Sequence, residues 1–410
     1  MTDNHASIAR PDGDGLPPPQ QGMLEGLRIL DLTTVVMGPF ATRLLADLGA
    51  DVIKIEPPEG DSSRTYAPHG APGISGTFLN LNRNKRGMVL DLKTPDDRKA
   101  LDRLIETADV LVHNLRGPVM RRLGFDYEHC RAIKPDLVYC AACGFSDDGP
   151  YAAKAAYDDL IQAGSGYAAL SIPLTGEPRY APAVICDKLA GQAVANAILA
   201  GLLHRERTGE GQDIEVPMFE TAIDFNLVES FAAAAWSPPR GKPGYARLQS
   251  VYRRPFRTAD GYACILPYSD ANWRDFFLFI DRADLAADPR YARLKDRAEH
   301  FDTLYALIAE AAPLHSTDEW VRFCDPANIP CMPVIDLADI AEDPHVKAVN
   351  LITIVDHPHA GPYKSVRRTV RFSAQAFKLR RHAPLLGEHT GEILEELDLA
   401  AANPAAIARR

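Results

Sequence analysis

The sequence predicts an α/β protein that has a doubly wound parallel sheet in a large domain and a smaller α+β domain. Three observations support this fold class. Short apolar runs alternate with helix-like segments from about residue 27 to residue 141. Such alternation is typical of parallel βαβ units. The pattern changes after about Glu220, and 410 residues are enough for two or three domains.

The predicted sheet is built from short apolar strands joined by amphipathic helices. The strands are predicted at residues 28–32, 52–55, 88–92, 110–112 and 137–141. One helix is predicted over 40–48, ended by Gly49. Another begins after Thr94, with Pro95 at its first position, and runs to about Thr107. Ligands of such sheets bind at the carboxyl ends of the strands, where segments 34–39, 56–64 and 114–117 are expected.

Asp187 stands at the predicted start of a buried helix. The apolar stretch from Leu189 to Leu203 is interrupted only by Gln192 and Asn196. A carboxylate at a helix start faces free backbone N–H groups and the positive end of the helix dipole. One interpretation is an N-cap. The other is a nucleophile, ionised at neutral pH, whose neighbouring N–H groups also bind an oxyanion.

The second half of the chain is predicted to hold a linker and a smaller domain. Residues 221–255 are predicted as the linker, and their later part is rich in Pro, Gly and Arg. A strand pair, 256–258 and 262–266, precedes helical segments with aromatic residues, which predicts an α+β domain over 256–327. A third part, 328–410, ends in a short helix after Thr390.

Composition excludes several classes of function. The net charge of −10 argues against general binding to nucleic acid or to anionic membranes, both of which need a basic surface. No apolar run is suited to a membrane span. Residues 1–22 are polar and lack the regions of a signal peptide, so they are predicted to be a disordered leader of a cytoplasmic protein.

Several short motifs favour structural interpretations. Seven irregularly spaced cysteines argue against a disulfide framework, and the lone CxxC at Cys140 and Cys143 indicates buried thiols. The glycine-rich segment 164–166 lacks the preceding strand and the following acidic residue of a dinucleotide site. His357 and His359 flank a proline, which favours a solvated turn over a metal site.

Basic residues follow or precede several of the predicted strands. The segment Asn82–Arg86 precedes the third strand, and it is either a solvated basic turn or a phosphate contact beside the strand-end crevice. The same two interpretations apply to Arg64, Arg116 and Arg122.

Short motifs follow one another in a fixed order from about Gly26 to Leu397. They are Ile29–Leu32 with Gly38-Pro39, Leu48–Glu56, Asn84–Arg86, Asp109–Asn114, Gly144-Phe145 with Gly149-Pro150, Tyr157-Asp158 with Gln162–Gly166, the Asp187 helix, Arg207–Gln212 and Gly387–Thr390. Taken together, their order and number resemble the class III CoA-transferases, the CaiB/BaiF family.

The resemblance implies an interlocked homodimer. Each chain would have a large Rossmann-like domain, with an N-terminal part at 23–220 and a C-terminal part at 328–410, and the small domain at 256–327. Asp187 matches the family's catalytic aspartate, and an acyl-CoA and a small carboxylic acid are the implied substrates, with no permanently bound cofactor and no metal. The positions expected to bind CoA are Val36, Met37, Asn84, Lys85, Arg86, Asn114, Leu115, Arg116 and Arg122.

The sequence also departs from the family pattern. Pro57 stands where an arginine can contact CoA, and Cys143 stands where some members have lysine. The small domain lacks a run of consecutive glycines, which argues against formate and oxalate as substrates.

Two alternatives to a transferase stay open. Related α-methylacyl-CoA racemases have a histidine where this chain has Tyr157, and a tyrosine is a poor base because its ordinary pKa is about 10. A non-catalytic CoA-binding protein would not require Asp187. The arginines of the small-domain entry are either a solvated basic linker or a site for the free carboxylate of a dicarboxylic acyl group. They are Arg247, Arg253, Arg254 and Arg257.

Overall fold

The computed structural model describes residues 22–67, 69–71 and 73–402. The strands are β1 Arg28–Leu32, β2 Asp51–Glu56, β3 His69–Ala71, β4 Ile74–Ser75, β5 Lys85–Val89, β6 Val110–His113, β7 Val138–Cys143, β8 Gln212–Pro217, β9 Phe256–Arg257, β10 Tyr262–Ile265, β11 Cys331–Pro333, β12 Ile352–His357 and β13 Gly361–Val366. The predicted leader, apart from Gly22, lies outside the described residues.

Helices connect these strands along most of the chain. They are α1 Met37–Asp47, α2 Gly76–Asn82, α3 Pro95–Glu106, α4 Gly117–Leu123, α5 Tyr127–Ile133, α6 Asp158–Gly164, α7 Ile172–Thr175, α8 Ile185–Thr208, α9 Met218–Ser230, α10 Asp270–Phe279, α11 Ala283–Ala286, α12 Leu294–Arg297, α13 Phe301–Ala311, α14 Thr317–Cys324, α15 Pro344–Ala348 and α16 Thr390–Ala402.

The chain forms two compact units. The first contains the residues up to Ala142, Gly191–Glu215 and the residues from Thr353 onward, and the second contains Cys143–Ala190 and Val216–Ile352. These breaks fall at other positions than the predicted domain boundaries, which stay predictions. The predicted linker is wrong for residues 221–230, because they belong to α9, where Ala222 and Asn226 are buried.

The main sheet has six strands in the order β5-β2-β1-β6-β7-β8. Every pair from β5 to β7 is parallel, which confirms the predicted parallel sheet. The order reverses between β1 and β6, since β2 and β5 lie on one side of β1 while the later strands lie on the other. In a sheet of this kind that reversal opens a crevice at the carboxyl ends of the two central strands.

Strand β5 begins three residues before its predicted start. Its first two residues, Lys85 and Arg86, are charged, yet their side chains are 0% and 4% exposed. Prediction from apolar runs excludes such residues from a buried strand, because an unpaired buried charge is very costly. Here both charges are paired inside the first unit, so the strand extends through them.

The C-terminal segment covers the open edge of the sheet at β5. Gly87 N–H donates to His389 Nδ1 at 3.1 Å, and Gly87 O accepts from His389 N–H at 2.9 Å. Two residues further along β5, Val89 N–H donates to Thr390 Oγ1 at 3.1 Å. These contacts satisfy backbone groups of an edge strand that would otherwise be free to pair with another chain.

Each unit has its own apolar core. In the first unit, Leu30, Ile53 and Leu111 from the sheet pack with Leu104 of α3 and Ile393 of α16. The second unit contains the three-stranded sheet β11-β10-β9, whose core includes aromatic residues of α10 and α14. Within the described residues, none of the helices combines the length and the apolar character that crossing a membrane requires.

Candidate active site

The crevice between β1 and β6 is closed at its base by a reciprocal pair of hydrogen bonds. Thr34 N–H donates to Asn114 Oδ1 at 3.0 Å, and Asn114 Nδ2 donates to Thr34 O at 2.8 Å. The segment 34–36 then leads directly into α1. Asn114 is half-buried, and its two hydrogen bonds fix the backbone at the carboxyl end of β1.

The backbone at the end of β1 is strained. Val35 has a φ of 70°, the left-handed region that a β-branched residue rarely adopts. Its N–H donates to both carboxylate oxygens of Asp61 at 3.2 Å, and Asp61 is held in turn by the fully buried ammonium of Lys54 at 2.9 Å. Such strain, of the order of 1–3 kcal/mol, is concentrated at functional sites.

Six of the nine positions expected to bind CoA, Asn114 among them, lie around this crevice. Val36 and Met37 are buried at the start of α1, while Leu115 is half-buried just after β6. Arg116 precedes α4 and is exposed, as Arg122 in the last turn of that helix is. The structure thus presents two exposed guanidinium groups at the β6 side of the crevice, a charge suited to phosphate.

The buried ammonium of Lys85 forms three hydrogen bonds with other residues of the first unit. Its ammonium donates to Asp31 Oδ2 at 3.0 Å, to Asn82 Oδ1 at 2.8 Å and to Pro39 O at 3.1 Å. Both side chains of the Lys85–Asp31 ion pair are 0% exposed. Lys85 therefore joins the starts of β5 and α1 to β1, and its predicted contact with CoA stays a prediction.

Asn84 and Arg86 are also occupied within the first unit. Asn84 Nδ2 donates to Asp47 Oδ1 at 2.8 Å, and its Oδ1 accepts from the backbone N–H of Arg380 at 2.7 Å. Arg86 forms ion pairs that tie β5 to β2 and to α16. Its partners are Asp51 at 2.6 Å, Glu392 at 3.0 Å and Glu396 at 2.6 Å. In this structure both residues stabilise the fold.

Arg64 has a buried partner as well. Its guanidinium contacts the Glu56 carboxylate through two hydrogen bonds, Nε to Oε1 at 2.8 Å and Nη2 to Oε2 at 2.6 Å. The side chains are 5% and 0% exposed. A two-point ion pair of this kind fixes the loop after β2. Because the guanidinium of Arg64 is buried against Glu56, its position does not support a contact with phosphate.

Asp187 is the third residue of α8, which begins at Ile185. The N-cap interpretation is therefore wrong, because an N-cap residue precedes the first helical residue. The side chain is half-buried in the first helical turn. Its own backbone N–H donates to Asp158 Oδ1 at 3.0 Å, so this N–H does not face an oxyanion in this structure.

Asp158 and Gln162 of α6 support the start of α8. Asp158 is buried and accepts from Gln162 Nε2 at 2.5 Å as well as from Asp187 N–H. Gln162 in turn accepts from Ala181 N–H at 2.8 Å and donates to Ala183 O at 3.3 Å. These contacts fix the segment that leads into α8. We predicted no site role for either residue, although both belong to a motif of the family.

The environment of Asp187 disfavours its ionised form. Burial and, as the smaller cause, the neighbouring carboxylate of Asp158 together raise the pKa of Asp187 from 3.8 to about 7. This environment therefore argues against the expectation of a fully ionised Asp187 at neutral pH. Removing a carboxylate from water and placing it beside a like charge both oppose ionisation, so the protonated form of Asp187 is favoured more than in an exposed aspartate.

Other predicted features have mixed outcomes. His357 is buried, with Nε2 2.9 Å from Ala383 O, so the solvated turn is wrong at this position, while His359 is exposed. Cys140 is buried and Cys143 half-buried. The segment 164–166 begins at the last residue of helix α6, so no strand precedes it, as predicted.

The four arginines of the small-domain entry differ in their burial and in their contacts. Arg247 donates from Nε to Tyr305 OH at 3.0 Å and is half-buried. Arg253, Arg254 and Arg257 are exposed. The structure therefore leaves both interpretations of these residues open. Tyr157, the residue just before Asp158, is 70% exposed.

The sequence profile of CoA-transferase family III matches residues 24–390. The chain belongs to this family. It is 31% identical to a succinate–glutarate CoA-transferase of Agrobacterium fabrum, over 93% of this chain and 97% of that protein. It is 33% identical to a succinyl-CoA:mesaconate CoA-transferase of Haloarcula hispanica, over 92% and 96%. A formyl-CoA:oxalate CoA-transferase of Escherichia coli O157:H7 is 30% identical over 91% and 95%.

A solved structure is similar over the same extent. A CaiB/BaiF family protein from Brucella suis is 31% identical, with a TM-score of 0.80 over 92% of this chain and 100% of that one. The predicted family and the predicted class of enzyme, a class III CoA-transferase, are confirmed by these similarities.

Proposed function

We propose that this enzyme moves CoA from a donor acyl-CoA to a carboxylic acid through covalent intermediates on Asp187. The carboxylate attacks the donor thioester, which forms a mixed anhydride and expels CoA thiolate. The thiolate then attacks the aspartyl carbonyl, which gives an aspartyl-CoA thioester and frees the donor acid. None of these reaction steps changes an oxidation state, so they require no metal or redox cofactor.

The second half of the proposed reaction repeats these steps in reverse order with the acceptor acid. The acceptor carboxylate attacks the aspartyl thioester and again expels CoA thiolate. The thiolate attacks the acceptor carbonyl of the new anhydride, which yields the product thioester and restores the Asp187 carboxylate. A nucleophile that is also a good leaving group suits both halves, and a carboxylate has both properties.

The surroundings of Asp187 are the observation that carries this proposal. The residue lies in the first turn of a long helix, half-buried and beside a second carboxylate, and its pKa is raised to about 7. A group with so perturbed a pKa at a helix start is a candidate nucleophile rather than a surface residue. Poor solvation of the carboxylate also favours its attack on a thioester.

We propose that CoA binds at the crevice between β1 and β6. The supporting observations are the strained Val35, the buried Val36 and Met37 at the start of α1, and the exposed guanidinium groups of Arg116 and Arg122. Positive charge and a helix start are both suited to the phosphates of CoA. No permanently bound cofactor is part of this proposal, since CoA enters as a substrate.

We propose a dicarboxylic acid as one of the two acyl partners. The names of the relatives from Agrobacterium fabrum and Haloarcula hispanica specify succinate, glutarate and mesaconate, which are all dicarboxylic acids. Arg247, half-buried beside Tyr305, and the exposed Arg253 are candidates for binding the second carboxylate. The missing glycine run still argues against formate and oxalate.

We also propose that the enzyme is an interlocked homodimer in the cytoplasm. Helix α9 carries apolar side chains that a lone chain leaves in water, including Phe225 at 49% and Val228 at 79% exposure. Phe231 and Trp236 follow at 42% and 54%. A surface this apolar is typical of a protein–protein interface. Light scattering of the purified enzyme tests the homodimer, and a mass of one chain would contradict it.

Borohydride trapping with a panel of acyl-CoAs tests the covalent mechanism. The expected result is a reduced adduct on the peptide that carries Asp187, with succinyl-CoA among the productive donors. Asp187→Ala should lose the adduct and the turnover while it keeps the melting temperature within a few degrees. Asp159→Asn, an exposed neighbour of Asp158, is the matched control and should keep both.

Two outcomes would overturn the mechanism. Normal turnover in Asp187→Ala excludes the aspartate as the nucleophile. Exchange of the α-proton of a 2-methylacyl-CoA in heavy water, without any adduct, would instead support the racemase alternative. The exposed Tyr157 argues against that alternative, because a phenol is a weak base near neutral pH.

A further inference from the structure

A histidine-rich cavity lies in the first unit, beside the C-terminal segment that covers β5. We call it the histidine cavity. It encloses about 160 Å³ between the turn after β12 and the segment that precedes α16. Its lining residues are His357, Pro358, His359, Arg381, His382, Ala383, Glu388 and His389. Four of the chain's twelve histidines line it, so its chemistry is dominated by imidazole and guanidinium groups.

Hydrogen bonds determine which imidazole nitrogens can bind a ligand. His357 Nδ1 accepts from the backbone N–H of His359 at 3.1 Å, and its Nε2 donates to Ala383 O at 2.9 Å. Both nitrogens of His357 are therefore used. His389 Nδ1 accepts from Gly87 N–H at 3.1 Å, so the proton of its neutral ring is on Nε2. That Nε2–H is a donor.

The cavity has more donors than acceptors. Arg381 is 48% exposed, and its guanidinium lies 4.0 Å from Glu392, at the outer limit of an ion pair. Glu388, the carboxylate of the lining, already accepts from Leu385 N–H at 2.7 Å. His382 Nδ1 lies 3.4 Å from Tyr363 OH, which leaves its Nε2 for a ligand.

A metal ion does not fit this donor set. In the part of the chain that the structure describes, no three histidine, cysteine or acidic side chains are grouped as metal ligands. Nδ1 of His357 and of His389 already accept backbone N–H groups, and a metal ion needs that same lone pair.

We propose that the histidine cavity binds a small oxyanion, either sulfate-like or a carboxylate, through the Arg381 guanidinium and the Nε2–H groups of His382 and His389. Charge-assisted hydrogen bonds from arginine are the strongest contacts that such a ligand can form, and the imidazole groups add directed donors. The cavity volume suits an anion of a few heavy atoms. This inference is independent of the proposed transfer mechanism.

The site should bind its anion more tightly as the pH falls. Burial lowers the pKa of His382, the neighbouring His357 adds to this, and Asp356 and Glu388 oppose it. A bound anion favours the protonated ring, so anion binding and proton uptake at His382 reinforce each other. His389 stays neutral, because a proton on Nδ1 would remove the acceptor of Gly87 N–H.

Isothermal titration of the full-length enzyme with sodium sulfate and with sodium acetate tests the site. Ionic strength is kept constant with sodium chloride, and neither probe changes its charge between pH 6 and pH 8. We expect saturable binding of at least one probe, weakened roughly tenfold by Arg381→Gln because one charge-assisted contact is lost. Arg274→Gln, an exposed arginine of α10, is the matched control and should bind as the parent does.

The pH dependence supplies a second, independent readout. Binding should be tighter at pH 6 than at pH 8 in the parent, and His382→Asn should remove most of this difference. The anion that binds identifies the ligand as sulfate-like or as a carboxylate. Absence of saturable binding by both probes in the millimolar range overturns the proposal, as does equal affinity in the parent and Arg381→Gln.

Discussion

The contact between Asp158 and Asp187 leads to a quantitative prediction about the pH profile. The pKa of Asp187 is raised from 3.8 to about 7, with burial as the larger cause and Asp158 as the second. A like charge at this distance shifts a carboxyl pKa by about one unit or more, so removing it in Asp158→Asn should lower the pKa of Asp187 to about 6, a change of about 1.4 kcal/mol in its ionisation.

The expected consequence is higher relative activity in acid. At pH 6 the ionised fraction of Asp187 increases from about one tenth to about one half, so kcat/KM relative to its plateau should rise roughly fivefold. The asparagine retains an oxygen that can accept Asp187 N–H, but its amide nitrogen faces Gln162 Nε2, which also donates. A loss of about 1 kcal/mol in the free energy of unfolding should accompany the change.

The assay is the pH dependence of kcat/KM between pH 5 and pH 9, with the donor that gives the best adduct. Asp159→Asn serves as the control, because this carboxylate is exposed and should leave the acidic limb in place. The reasoning is refuted if the acidic limb of Asp158→Asn stays at pH 7 or moves to higher pH. A uniform loss at every pH would indicate misplacement of α8 instead of electrostatics.

Three further predictions concern stability. Gly191→Ala should destabilise the fold by about 1–3 kcal/mol, because a Cβ there would lie 2.6 Å from Met37 O. Gly391→Ala is the control and should not destabilise it, because a Cβ at Gly391 has open space around it. Urea unfolding measures both variants. Arg86→Gln should lower the free energy of unfolding by about 3 kcal/mol and leave the KM for the donor acyl-CoA unchanged. A raised KM with unchanged stability would restore its role as a CoA contact. Burial lowers the pKa of His389 in the folded state, so the unfolded state binds more protons, and the stability should fall as the pH drops below about 6.5. The variant His389→Asn keeps an acceptor for Gly87 N–H, and it should weaken this pH dependence in thermal melts.

Local patterns predicted five of the six strands of the main sheet, with β5 shifted by three residues, and they did not predict β8. Strand β1 was predicted with its observed bounds, and Thr94 and Pro95 gave the start of α3, where the Thr94 side chain accepts from Asp97 N–H. These features depend on residues that are neighbours in sequence. For the other predicted strands, short apolar runs between turn residues and helical segments were enough to locate them approximately.

Residues that act through distant partners could not be predicted. Lys85 and Arg86 belong to a strand only because carboxylates from other segments neutralise them. Asp158 contacts Asp187 across 29 residues of sequence, and this neighbour adds to the effect of burial on the pKa of Asp187. Burial of His357 depends likewise on Ala383, 26 residues later. Such pairs depend on the path of the loops, which local composition does not determine.

The covering of β5 by the C-terminal segment has a consequence during synthesis. Gly87 and His389 are 302 residues apart, so the sheet edge is made long before its cover leaves the ribosome. At roughly 5–20 residues per second, the edge of a nascent chain stays open for about 15–60 seconds. During that interval the backbone groups of β5 that later bind the C-terminal segment remain available for pairing with another chain.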